Sequence, residues 1–469
     1  MSLQQELWRW SAVDIAGAVR RRDLSCREVT ASALARIDQF NPQVNALVAV
    51  LADEALAIAD AADRFAASGA ELGPLHGVPV TIKINVDQAG HATTNGVIPL
   101  RDHVAYEDSP VVAHWRSAGA IIVGRSNTAT YSSRWFTDNG LHGRTLNPWN
   151  AGITPGGSSG GAAAAVASGM GALAQGNDLG GSIRYPAYAC GVLGLRPTVG
   201  RVPAYNPSAT AERGITLQLM SAQGPLARSV ADLRLGYHAM ARDDARDPNW
   251  APVPLELPQP AGPIRVALFS RCPGIPVDPA VTQALSDAAS WLQQAGYDVH
   301  EAALPDFAEA ATLWRKLVMD DSRRHVFAGA EQHGDKAIQI SLRNMLVDLQ
   351  ETDRDGYLDA LAQRLKLLRH WSAFLQTYPL VLMPVSWQRP CPQDEDIGTP
   401  EQARALIDAQ SPLLATAGLG LPGLAVPTGM AGGVPIGVQL LAWRFREDLL
   451  LQAAQVLEDA AQFIPFAAR

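Results

Sequence analysis

Gly77-Val78-Pro79-Val80-Thr81-Ile82-Lys83 is a short β-branched run behind a glycine, and it reads as a strand. Upstream, residues 11–65 repeat apolar positions at helical spacing, as in Ala12, Ile15, Ala16 and Val19, then Ala33, Leu34 and Ile37, then the Ala-rich stretch from Val48 to Ala66. Downstream, Asp108 or Ser109 offers an N-cap and Pro110 a first-turn residue for a helix running to Ala118. The apolar strand Ala120-Ile121-Ile122-Val123 follows directly. Helix followed by strand recurs at Val281 to Ala295 with Asp298 to Ala303, and again at the end of the chain. This alternation predicts an α/β class with a mixed or parallel sheet.

With 469 residues, 47% hydrophobic and 18% charged, the chain can bury a large core. Its formal net charge of -8, from 38 basic against 46 acidic residues, argues against a nucleic-acid or anionic-membrane partner. The densest basic run, Arg20-Arg21-Arg22, is followed at once by Asp23 and reads as a solvated helix end. Glu6 and Asp14 interrupt the first twenty residues, so no secretory h-region is expected. No apolar run reaches the roughly 18 residues of a membrane span, which predicts a cytoplasmic protein. Cys26, Cys190, Cys272 and Cys391 lie far apart without a C-x-x-C pair, as reduced and unpaired thiols would. Lysine is scarce, with Lys83, Lys316, Lys336 and Lys366 among 38 basic residues, so a lysine at the end of an apolar strand calls for a reason. Residues 243–263 and 384–400 are rich in turn formers and read as linkers or surface excursions. Neither forces a domain boundary, and no internal repeat occurs.

The centre of the chain reads Thr154-Pro155-Gly156-Gly157-Ser158-Ser159-Gly160-Gly161, then an Ala-rich helix to Met170, then Gly176-Asn177-Asp178-Leu179-Gly180-Gly181-Ser182-Ile183-Arg184. Glycines around serines let the backbone approach a bound group closely, and the helix behind them turns its N-terminal amides toward the loop. A second hydroxyl 24 residues after Ser158, behind another flexible backbone, suggests a nucleophile beside an oxyanion hole. A phosphate loop would need Gly-Lys-Ser/Thr, which is missing. The α/β-hydrolase elbow G-x-S-x-G fits residues 156–160 literally, but an elbow needs a strand before it, and residues 147–155 contain three Asn/Gly turn formers and two prolines. Gly418-Leu419-Gly420-Leu421-Pro422-Gly423 spells the dinucleotide fingerprint with helix before and strand after, the reverse of what that site requires, so it reads as a helix-to-strand turn. The histidines show no ligand spacing, and no metal is expected.

Gly157-Ser158-Ser159-Gly160-Gly161, Gly180-Gly181-Ser182-Ile183-Arg184-Tyr185-Pro186, Cys190-Gly191 and Gly194-Leu195-Arg196-Pro197-Thr198 together resemble the amidase signature family. The likeness runs from the N-terminal helices through Gly77-Val78-Pro79-Val80 and Lys83 to Gly224-Pro225 and Gly437-Val438-Gln439-Leu440, and is thinnest between about residues 240 and 380. It implies an α/β/α sandwich with a central mixed β-sheet covered by helices, in a single domain over residues 1–469. Within it, residues 1–70 would form N-terminal helices, 71–235 the signature core, 236–400 a more variable helical region and 401–469 C-terminal core elements. The resemblance also implies a Ser-Ser-Lys triad with Ser182 as nucleophile, Ser158, after a cis peptide, as bridge and Lys83 as base. The backbone amides of Leu179, Gly180, Gly181 and Ser182 would form the oxyanion hole, with Ser159, Asp178 and Arg184 supporting it. Elementary chemistry agrees, because a serine hydroxyl needs a base and burial is what makes a lysine amine neutral enough to be one. The chain departs from the family pattern at Ile84, Asn177, Leu179, Ala129, Thr130 and Ile153, none of which is a triad position.

The expected activity is hydrolysis of a small-molecule carboxylic amide without a cofactor, with a homodimer allowed for. The rivals are the catalytic subunit of a tRNA-dependent amidotransferase, an esterase or carbamate hydrolase, and a non-catalytic binding protein on the same scaffold. The resemblance places Tyr131 to Phe136 along the acyl pocket with the Ser132 backbone near the triad. Tyr131, Trp135 and Phe136 would supply aromatic walls suited to a neutral aryl or medium-length acyl group. Arg134 could meet a substrate carboxylate or pair with Asp138, four residues on.

Overall fold

The computed structural model describes residues 3–463 and 466–467. Eleven strands form one sheet: β1 (Leu47–Val50), β2 (Pro79–Lys83), β3 (Ile121–Ser126), β4 (Leu173–Asp178), β5 (Leu193–Arg196), β6 (Ala222–Ala227), β7 (Arg265–Leu268), β8 (Asp298–Glu301), β9 (Leu380–Pro384), β10 (Gly423–Ala431) and β11 (Val434–Ala442). Across the sheet the order is β1-β3-β2-β4-β6-β5-β10-β11-β9-β7-β8. The pairs β2–β3, β2–β4, β7–β8 and β7–β9 are parallel and the others antiparallel, so the sheet is mixed. With helices packed over it, this is the expected α/β/α sandwich.

All five residues of β2 are buried, which is why the run is continuously apolar instead of alternating. Its entry turns on Gly77 at φ +80°, where a side chain would also crowd Cys26. Parallel register pairs Pro79 with Ile121 and Lys83 with Ser126, so the lysine sits at the carboxyl edge of the sheet. The helix Gly160–Ala167 is buried along its whole length and packs against β4, β2 and β3. Its small residues allow that approach: a Cβ on Gly161 would fall 2.5 Å from the Asn127 amide nitrogen.

Several local expectations match the structure. The helix Ser411–Leu419 ends at left-handed Gly420 before β10, the helix-to-strand turn read from the sequence. All four cysteines are free. Arg21 pairs in solvent with Asp23 at 2.7 Å. Among the described residues no helix is long and apolar enough to cross a membrane. The helix Pro110–Ser117 is preceded by Ser109 in extended conformation, but Ser109 makes no capping bond and Asp108 accepts from the Ala89 amide instead.

Residues 384–400 differ from the expected surface excursion. Val385 and Trp387 are sealed from solvent, and Cys391 and Asp396 are buried. Trp387 stacks edge-on against Phe269 and donates to Ser411 Oγ at 3.0 Å, so the turn formers carry the chain across the core's edge while this indole anchors it.

Candidate functional site

Lys83 is fully buried, and its Nζ lies 2.8 Å from Ser158 Oγ, 3.0 Å from Ser159 Oγ and 2.8 Å from Asn177 Oδ1. The Ser158-Ser159 loop and the end of strand β4 therefore converge on one amine at the end of β2. Burial lowers the lysine pKa well below its ordinary value, and the nearby Asp178 charge opposes that only in part. Ser158 follows a cis peptide from Gly157. Its carbonyl accepts from Thr128 Oγ1 at 3.0 Å. Ser159 Oγ in turn has the Asn177 carbonyl oxygen at 3.4 Å as its acceptor. Asn177 exchanges hydrogen bonds with Asn85, Nδ2 to Oδ1 at 3.0 Å one way and 3.4 Å the other. The two asparagines stand where the sequence departs from the family pattern or follows such a departure, and their roles as holders of the amine were not legible from that.

Ser182 is half-buried and faces the same cavity as Ser158. Its carbonyl accepts from the Ser159 amide at 3.1 Å, which ties the two Gly-Ser loops together. The segment before it is clamped by two indoles. Trp314 Nε1 donates to the Leu179 carbonyl at 2.7 Å, and Trp135 Nε1 to the Gly180 carbonyl at 2.9 Å.

Beneath the loop, Asp178 is sealed and accepts from Arg184 at 3.0 Å on both carboxylate oxygens. Arg196 also donates to it, at 3.4 Å. Burial alone would raise the carboxyl pKa, but the two guanidinium groups and their hydrogen bonds hold it far below the usual carboxylate range. The expected pairing of Asp178 with Arg184 is thus present, and Arg196 completes it. A buried arginine on strand β5, within a motif already quoted, was the available signal for that third member.

One expectation about this loop is corrected. The Gly181 amide, anticipated as an oxyanion donor, instead donates a hydrogen bond to Asp178 Oδ1 at 2.8 Å. The left-handed φ of +104° at Gly181 turns the chain inward toward the carboxylate. The amides of Leu179, Gly180 and Ser182 have no such acceptor among the described residues.

The cavity measures about 390 Å³. Its lining includes the apolar Trp314, Val318, Met319, Leu342, Met345, Leu406 and Ile407 and the polar Asn85, Asn177, Asn206 and Gln223, with Glu212 and Arg213 also present. Tyr131, Ser132 and Trp135 line it as anticipated. Tyr131 and Ser132 both lie in the left-handed region at φ 54°, and Ser132 Oγ is held by Asn85, Asn95 and Thr128 at 2.7–2.9 Å. Phe136 does not line the cavity; it is packed in the core beneath. Arg134 is corrected as well. Its side chain is sealed and makes a bidentate pair with Asp396, 2.7 Å on each bond, while Asp138 pairs with Arg144. That pairing takes Nε and Nη2, and the remaining Nη1 is sealed from solvent with no partner among the described residues, so the guanidinium presents no exposed fork to a substrate carboxylate. The apolar wall comes from residues 314–345 and 406–407, which no local sequence motif marks.

A family model described as amidase matches residues 28–451. Indoleacetamide hydrolase of Bradyrhizobium diazoefficiens is 45% identical over 97% of this chain and 87% of its own length. A glutamyl-tRNA(Gln) amidotransferase subunit from a Synechococcus strain is 34% identical over 94% of each chain. Among solved structures, a bacterial aryl acylamidase of the amidase signature family superposes with a TM-score of 0.85 at 26% identity, covering 98% of this chain and 99% of its own. A buried lysine between two Gly-Ser loops, on this sheet and with these relatives, makes the chain a member of the amidase family, a hydrolase of amide C–N bonds.

Proposed function

We propose that this enzyme hydrolyses the primary amide of a neutral arylacetic acid, of the indoleacetamide class, through an acyl-enzyme on Ser182. The contact of the buried Lys83 Nζ with Ser158, Ser159 and Asn177 carries the reading of the chemistry. A neutral amine has two N–H bonds and one lone pair. Asn177 Oδ1 can only accept, and the Ser159 hydroxyl is directed to the Asn177 carbonyl, so both accept hydrogen bonds from the Lys83 N–H groups. The lone pair is left for the Ser158 hydroxyl.

As Ser182 Oγ bonds to the amide carbon, its proton passes to Ser158 Oγ while the Ser158 proton passes to Lys83. The carbonyl π pair moves onto oxygen, beside the amides of Leu179, Gly180 and Ser182. Collapse of the tetrahedral species breaks the C–N bond, and the leaving nitrogen takes the proton back along the same relay and departs as ammonia. Water repeats the sequence on the ester, releasing the carboxylic acid and restoring Ser182. Asp178, Arg184 and Arg196 hold the loop in place.

The apolar wall and the occupied Arg134 support a neutral acyl group, and the 45% identity to an indoleacetamide hydrolase supports an aryl one. A cavity of about 390 Å³ lies within the range of small-molecule sites, about 300–1,000 Å³. We read the enzyme as cytoplasmic and active without partner subunits; the net charge of -8 supports a partner list without nucleic acid.

The test is ammonia release by the isolated chain from indole-3-acetamide, phenylacetamide, propionamide and malonamate, with peptide mapping after a fluorophosphonate. The expected results are the highest kcat/KM for the arylacetamides and an adduct on Ser182. Preference for malonamate, no turnover without partner subunits, or an adduct on Ser158 would each overturn the corresponding part.

A further inference from the structure

The helix Phe307–Ser322 belongs to the stretch of least family likeness, yet its Trp314 reaches the most constrained loop of the site. The ring edge walls the cavity while Nε1 donates to the Leu179 carbonyl at 2.7 Å. A Cβ on Gly180 would lie 2.4 Å from the Trp314 ring, so the indole packs flush on the loop's backbone as well as bonding to it. In a trans peptide the carbonyl of one residue and the N–H of the next point to opposite sides. Fixing the Leu179 carbonyl on the indole therefore fixes the Gly180 N–H on the other side. Trp135 does the same one peptide later, where the amide so directed, Gly181, meets Asp178. Both peptides are thus set by a donor on their oxygen, but of the two amides so directed only that of Gly180 is left for an oxyanion.

We propose that Trp314 is a positioning residue for catalysis: its N–H aims the Gly180 amide, so that the wall which receives the acyl group also sets the oxyanion hole. This rests on the Ser182 acyl-enzyme reading above. A hydrogen bond held on the carbonyl side of a peptide costs nothing at the moment of reaction, which is what preorganised oxyanion donors require. The role differs from that of a plain apolar wall in one respect. A wall matters only to acyl groups large enough to touch it, whereas the aim of an oxyanion donor matters to every substrate, since all of them develop the same charge on the carbonyl oxygen.

The experiment measures kcat and KM of wild type and Trp314→Phe on indole-3-acetamide and on propionamide, which is too short to depend on the wall. Loss of aim predicts that kcat falls by a similar factor on both amides, about 10- to 100-fold, below the 10²–10³-fold of deleting a donor outright. KM for propionamide should stay within about twofold. If Trp314→Phe fails to fold, β-(3-benzothienyl)alanine at position 314 keeps the bicyclic shape and removes only the N–H. A loss confined to indole-3-acetamide, or no loss at all, overturns the proposal. Fluorophosphonate labelling of wild type separates the two levels: no adduct on Ser182 defeats the acyl-enzyme reading itself, while an adduct there with an unaffected variant defeats the role of Trp314 alone.

Discussion

A lysine amine ordinarily titrates near pH 10, and the base role proposed for Lys83 depends on surroundings that disfavour the ammonium. The main cause is burial, since all three hydrogen-bond partners are neutral oxygens. The sign of the pH dependence follows. The active form is the deprotonated one, so kcat/KM rises with pH through the lowered lysine pKa and is flat above it, with no falling limb from this group. Lys83→Arg cannot titrate in that range and should lose about 10²–10⁴-fold in kcat, measured by ammonia release. Asn177 gives a finer test. Replacing its amide by a carboxylate, Asn177→Asp, puts an opposite charge 2.8 Å from Nζ and favours the ammonium. The rising limb should then move up by about 1–3 pH units while the plateau rate at high pH is largely kept. A limb that does not move would mean that another group controls it.

The element that carries the proposed nucleophile, Ser182, is the loop between β4 and the helix Arg184–Cys190, and its stability depends on one carboxylate. Asp178 accepts from the Gly181 and Ile183 amides, from Arg184 on two bonds and from Arg196. Asp178→Asn keeps the shape and leaves two sealed guanidinium groups without a counter-charge. Breaking a buried pair from one side costs about 3–5 kcal/mol, so urea unfolding should report a loss of that order. The pH dependence has a defined sign. The folded carboxyl pKa is depressed, so its stabilisation is fully present above the ordinary carboxylate value of about 3.9 and is lost only as pH falls through the much lower folded one. Wild type should therefore keep this contribution down to about pH 4, and the difference between wild type and Asp178→Asn should narrow only in stronger acid. The variant's residual activity should fall more than its stability at pH 7, because the same carboxylate orders the loop that presents Ser182.

At the scale of the whole molecule, what could be read from the sequence was whatever its neighbours in the chain determine. The strand ending in Lys83, the strand β3 beside it and the two Gly-Ser loops each carry their own local signature, and the sheet brings them together as expected. What could not be read was set by distance along the chain. Arg134 meets Asp396 across 262 positions, and its nearer candidate Asp138 is taken by Arg144. The apolar lining of the cavity, where the acyl group is proposed to sit, is assembled from the helices Phe307–Ser322, Lys336–Met345 and Pro400–Ala409, whose lining residues Met319, Leu342, Leu406 and Ile407 look like ordinary core positions in sequence. On the proposed reading, substrate size is a property of how three remote helices pack, and it should be separable from the chemistry proposed at Lys83. Ile407→Trp fills the wall from the Pro400–Ala409 helix and leaves the proposed triad and its loop unchanged in sequence. Overpacking of this kind costs about 1–3 kcal/mol of stability, tolerable in a core of this extent. Pocket contacts worth a methylene or more change discrimination by about 10–200-fold, so the ratio of kcat/KM for indole-3-acetamide to that for propionamide should drop at least tenfold. Propionamide itself should be turned over nearly as before. Equal losses on both amides would place the acyl group elsewhere in the cavity and turn attention to its polar lining, where Asn85, Asn177, Asn206 and Gln223 would then have to receive it.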